Sequence, residues 1–100
     1  MSKTISEALK KRVKAGAAFL DVVKPNWWKK GEVDLEELDL AQPNVCMLGE
    51  LYGDYNYGKT KLGLDNESAE FVGFYSSINS RYAAITKLWK AKIRALRKKA

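Results

Sequence analysis

Histidine is absent from this chain, cysteine occurs once and proline twice. Without histidine there can be no His-dependent catalytic triad, no His-ligated metal and no imidazole proton shuttle. The single cysteine, Cys46, excludes an intramolecular disulfide and an all-cysteine metal cage. Flanked by Val45, Met47 and Leu48, it reads as a buried structural thiol. Any catalysis would have to run on carboxylates, lysine, tyrosine or that thiol. No apolar run approaches the roughly 18 residues of a membrane span. The opening Met1-Ser2-Lys3-Thr4-Ile5-Ser6-Glu7 lacks the apolar core of a signal peptide, so a cytoplasmic protein with no membrane partner is expected.

Acidic side chains are also missing after Glu70, and this absence has a counterpart. Residues 1–31 carry eight basic and two acidic side chains, residues 32–70 two and ten, and residues 71–100 eight and none. The net charge of +6 is therefore divided into basic, acidic and basic segments. Such segregation favours docking of the outer segments onto the middle, or a basic face left for an anionic partner.

With 100 residues and 46% apolar side chains, the chain has room for one core and for three or four helices. A nucleotide-hydrolysing α/β domain needs several βαβ units of about 30 residues each and would not fit comfortably. Thr4-Ile5-Ser6-Glu7 is a capping box, in which hydroxyl and carboxylate satisfy the free N–H groups of a helix start. Beyond it, Ile5, Leu9, Val13, Gly16/Ala17, Leu20 and Val23 recur at three and four residues, predicting an amphipathic helix. Pro25 ends it by pushing the preceding residue out of the α region. The Asn26–Gly31 turn holds Trp27 and Trp28, either to close the core or to anchor a partner beside Lys29 and Lys30.

Asp34-Leu35-Glu36-Glu37 is a second capping box, opening a short turn with Leu35, Leu38 and Leu40. Pro43 suits the start of a third helix. Val45, Leu48, Leu51/Tyr52, Tyr55 and Leu62 give it a stripe, and Gly49 and Gly53, four apart, would let another helix approach closely. Gly58 or Gly63 would end it in the left-handed conformation. Residues 64–75 form a connector, with a helical turn over Glu67–Phe71 or a short strand as alternatives. Last, Ile78, Tyr82, Ile85, Trp89, Ile93 and Leu96 define a helix of about 30 Å, capped by Asn79 or Ser80. The expected fold is an all-α, compact single-domain bundle over residues 1–100, with three main helices and one or two short helical turns. Its core should contain Leu9, Val13, Leu20, Leu38, Leu48, Leu51, Tyr55, Phe74, Ile85, Trp89 and Ile93.

One stretch suggests chemistry. Gly53-Asp-Tyr-Asn-Tyr-Gly-Lys-Thr60 satisfies the phosphate-loop pattern G-x-x-x-x-G-K-[ST]. That loop works between a buried strand and a helix, where backbone N–H groups converge on phosphate. Here the preceding residues read as helix, Gly63 follows within a turn of Thr60, and no apolar run ending in Asp follows to hold magnesium. The match reads as incidental, leaving no expected cofactor or small-molecule substrate. Glu50 and Asp54 are four apart and could share a metal, but no third ligand accompanies them, and a solvated face is the plainer reading.

Leu20-Asp21, Pro25 with Trp27/Trp28, Asp34-Leu35-Glu36 with Leu38-Asp39-Leu40, Cys46-Met47-Leu48-Gly49-Glu50-Leu51-Tyr52-Gly53-Asp54-Tyr55, Leu62-Gly63-Leu64, Gly73-Phe74, Tyr82, Leu88-Trp89 and Ile93 occur in an order that resembles small uncharacterised proteins of actinobacteriophages and their actinobacterial hosts. The resemblance covers most of residues 14–94 and is tightest over Cys46–Tyr55. It implies a bacterial cytoplasmic setting and brings no catalytic residue. In that group the pattern does not depend on a Lys-Thr pair after Gly58. The resulting expectation is a non-enzymatic accessory protein that binds a protein partner, with a host factor as one candidate, through Trp27, Trp28 and Tyr57. The alternative is nucleic-acid binding through Lys87, Lys90, Arg94, Arg97 and Lys98 on the basic last helix.

Overall fold

The computed structural model describes residues 2–99, with side chains from Glu7 onward. Among them are five α-helices and no strand: α1 (Ser2–Val23), α2 (Met47–Tyr52), α3 (Tyr55–Lys61), α4 (Asn66–Phe71) and α5 (Tyr82–Lys99), the last preceded by a 3₁₀ turn at Asn79–Arg81. The all-α expectation holds. The long helices α1 and α5 pack on each other, α2 packs on α3, and α4 lies against α1.

Helix α1 buries Leu9, Val13, Ala17 and Leu20 of the predicted stripe, whereas Val23 at its end is exposed and the Ile5 side chain lies outside the described ones. The side chains of the Thr4 capping box lie outside the described ones, and the helix backbone is already formed at Ser2. The helix ends at Val23, two residues before Pro25. Stripe residues Ile85, Trp89 and Ile93 of α5 are buried against it. Asn79 and Ser80, expected as caps, instead form the 3₁₀ turn.

The core is built around a chain of aromatic rings. Trp27 meets Trp89 edge to face at 5.6 Å, Trp89 stacks on Phe74 at 5.8 Å, and Phe74 meets Phe19 at 6.4 Å. Both indole N–H groups are satisfied, Trp89 Nε1 donating to the Gly73 carbonyl at 2.7 Å and Trp27 Nε1 to Asp21 Oδ1 at 2.9 Å. Each aliphatic side chain closed in around them contributes roughly 1.5–3 kcal/mol. Of the expected core, Leu51 and Tyr55 are only half-buried, while Trp27, Val33, Leu40 and Met47 are additional members.

The expected third helix is divided in two. Gly53, at φ 95°, closes α2 in the left-handed conformation that glycine adopts without a Cβ clash, and Asp54 begins α3 at once. Helix α2 starts at Met47 rather than at Pro43, with Cys46 as its cap, Sγ accepting the Gly49 N–H at 3.3 Å. The partner that comes close at Gly49 is the Pro43–Asn44 backbone rather than another helix. The Asp34 box forms only a turn: Asp34 Oδ1 accepts the Glu36 N–H, but the Asp34 N–H goes to Glu50 Oε1 at 2.7 Å instead of Glu37. The 64–75 connector holds α4, opened by a reciprocal capping box between Asp65 and Ser68.

Candidate functional site

The phosphate-loop match is dismantled by its own backbone. The residues before Gly53 are helix α2, and Gly58, Lys59 and Thr60 lie inside α3, where their N–H groups belong to the helix. The N-terminus of α3 is already filled by a carboxylate, since Asp54 Oδ2 accepts the N–H groups of Asn56 and Tyr57 at 2.9 and 3.2 Å. A phosphate arriving there would meet that negative charge. Lys59 is also engaged, donating to Asn66 Oδ1 at 3.0 Å and lying 5.2 Å from the centre of the Tyr55 ring.

The Glu50–Asp54 pair does not form a metal site. Asp54 caps α3, Glu50 holds the Asp34 N–H, and among the described residues no group of three or more acidic or thiol side chains could hold a metal ion. Cys46 is buried, as expected, and burial pushes its thiol above the ordinary range. Burial likewise raises the Tyr55 phenol, which donates to Asn66 Oδ1.

The aromatic anchor set requires correction. Trp27 is 0% exposed, its ring seated on Trp89 and its N–H on Asp21, so it cannot meet a partner. Trp28 is half-buried against the core. Tyr57 alone stands out, at 57% exposure on α3. The three residues therefore do not make one aromatic surface, because the edge-to-face pairing with Trp89 takes Trp27 inward.

Within the basic set, Arg97 lies apart from the other four. Arg97 turns inward, with Nε donating to the Trp28 carbonyl at 2.7 Å and one Nη to the carbonyls of Val33 at 2.6 Å and Lys29 at 3.3 Å. It clamps the loop that follows α1, and its five-donor fork suits that task. Lys87, Arg94 and Lys98 are exposed and Lys90 half-exposed on α5. At about 100° per residue these four fall within about 80° of the helix circumference, away from the Ile85–Trp89–Ile93 stripe. Helix α5 carries no acidic residue. Among the described residues the ion pairs are Arg12–Glu70 and Lys24–Glu32, neither on α5. The outer segments thus form ion pairs with the acidic middle through Arg12 and Lys24, and among the described residues Lys87, Lys90, Arg94 and Lys98 of α5 take part in none.

Lys10, Lys14 and Lys92, absent from the sequence-based set, line a groove between α1 and α5 with Val13, Leu88 and Ala91. Their signal was the four-residue spacing of Lys10 and Lys14 beside the Leu9–Val13 stripe. No helix among the described residues is long and apolar enough to cross a membrane. No protein-family model matches the chain, and comparisons with curated proteins and with solved structures found no match.

Proposed function

We propose that the protein is a non-enzymatic module that binds nucleic acid through its phosphate backbone, using the outer face of α5. The observation that carries this reading is Lys87, Lys90, Arg94 and Lys98 on one helix face with no acidic side chain on that helix. The row spans about 16 Å along the axis, enough for several phosphates. Trp89 is buried, so the helix offers no indole on which bases could stack. Contacts would therefore be to phosphate and independent of sequence. The resemblance to actinobacteriophage proteins suggests a bacterial cytoplasm as the setting.

Fluorescence anisotropy with an unrelated DNA duplex and an unrelated RNA, each at two salt concentrations, tests the reading. Four neutralised phosphates give an expected slope of log K against log salt of roughly −3.6 on duplex DNA. Lys87→Ala and Arg94→Ala should each reduce the slope by about 1. Absence of binding even at low salt would end the proposal.

A protein partner, with a host factor as one candidate, is the second reading. The exposure of Tyr57 supports it, together with Phe71 at 72%. Loss of a captured partner on Tyr57→Ala, with DNA binding intact, would favour it.

A further inference from the structure

The groove between α1 and α5 differs in character from the outer cation row. Its walls bring Lys10 and Lys14 from one helix towards Lys92 from the other, and its floor is Val13, Leu88 and Ala91, around an open, solvent-facing space of about 330 Å³. Val13 is buried at the bottom, Leu88 half-buried, and Ala91 open to solvent. No acidic residue lines it.

We propose that this groove docks an acidic amphipathic helix from a partner protein, with one or two aliphatic side chains on Leu88, Ala91 and the lysine stems and carboxylates on Lys10, Lys14 and Lys92. The chemistry of floor and rim together selects this occupant. A phosphate backbone would use the lysines but gain nothing from the apolar floor. A helix with aliphatic anchors at i and i+3 or i+4 and acidic flanks satisfies both, since the lysine stems extend the apolar walls while their ammonium groups stay in water. A second copy of this chain fits poorly. Helix α5 has no acid to offer, α1 from Glu7 onward has only Glu7 and Asp21, and the helices of the acidic middle segment have six or seven residues, less than two turns. Pairing two basic faces would set like charges against each other.

The test titrates the full chain into a labelled synthetic helix of about four turns, with leucine on one face and glutamate on its flanks. Two companion peptides replace the leucines by serine or the glutamates by lysine. The leucine/glutamate peptide should bind at least about tenfold more tightly than either companion. Ala91→Glu, at an exposed helical position, and Lys14→Glu should each weaken binding by about tenfold, whereas Lys61→Glu on α3, the same change of charge outside the groove, should stay within about twofold. Melting curves verify that each variant is folded, and Lys14→Glu decides the matter should Ala91→Glu prove unstable. Equal binding of the serine peptide, or equal losses from Lys14→Glu and Lys61→Glu, would overturn the proposal by showing that only diffuse charge is felt. Duplex DNA titrated in parallel reports on the outer row, so either ligand can fail without the other.

Discussion

Gly16 shows how closely the main elements meet. A Cβ placed there would collide with the Val72 carbonyl oxygen and lie 2.8 Å from the Trp89 ring, so backbone and indole block it together. Because one obstacle is backbone, Gly16→Ala should cost about 3 kcal/mol, read as a lower urea midpoint with an unchanged m-value. A cost below about 0.5 kcal/mol would mean that α1 and the Val72–Phe74 segment separate easily. Cys46 and Tyr55 give a residue-scale dependence on pH. Both groups are raised in the folded protein, chiefly by burial. On alkalinisation the unfolded chain therefore loses these protons first, beginning near about 8.5 for the thiol and about 10 for the phenol. The stabilisation is complete below those values and declines as pH rises through them. Urea titrations at neutral and alkaline pH should show this decline, and Tyr55→Phe should flatten its upper part. In the native protein Cys46 should react with a thiol reagent far more slowly than in urea, because its sulfur is buried and accepts the Gly49 N–H.

At the scale of elements, the loop after α1 depends on one side chain from α5. Arg97→Met keeps the stem but removes the donors to Trp28, Lys29 and Val33, and should cost about 2 kcal/mol. Amide exchange should accelerate over residues 28–33 more than over α1, and uniform acceleration would contradict the clamp. The cap on α3 is a smaller contribution: Asp54→Ala frees the N–H groups of Asn56 and Tyr57 and should cost about 1 kcal/mol by the same denaturation. These elements also show which features were legible in the sequence. Helices α1 and α5 were, because their lengths, 22 and 18 residues, let the three-four spacing repeat, and Pro25 marked the first stop. The division at Gly53 was not, since six- and seven-residue helices repeat no stripe and the glycine's spacing from Gly49 resembled a packing notch. The informative signal was Asp54 directly after Gly53, a stop followed by a start. Of the candidate site, the lysines of α5 were readable as a helix face. The inward turn of Arg97 was not, because its carbonyl partners lie 64 to 69 positions away.

For the whole molecule, the dominant quantity is the uneven charge. Net positive charge on α5 is not offset by ion pairs among the described residues, so its cations repel one another along the helix. Raising ionic strength from about 0.01 M to about 0.15 M should therefore raise Tm by a few degrees in the absence of a ligand. A fall would mean that attraction between the basic and acidic segments outweighs this repulsion. The bridge from Arg97 to residues 28–33 has a further consequence, for the order of events in time. Trp27 is completed by Trp89, and the loop beside it by Arg97, so this turn acquires those partners only once the last helix exists, whereas α1 can already meet α4 and Phe74. Contacts of such long sequence separation slow folding relative to a bundle closed by neighbouring helices. During synthesis α1 must wait on the ribosome with its apolar stripe at best partly covered by α4, a nascent chain exposed to chaperones until α5 arrives to complete the seal.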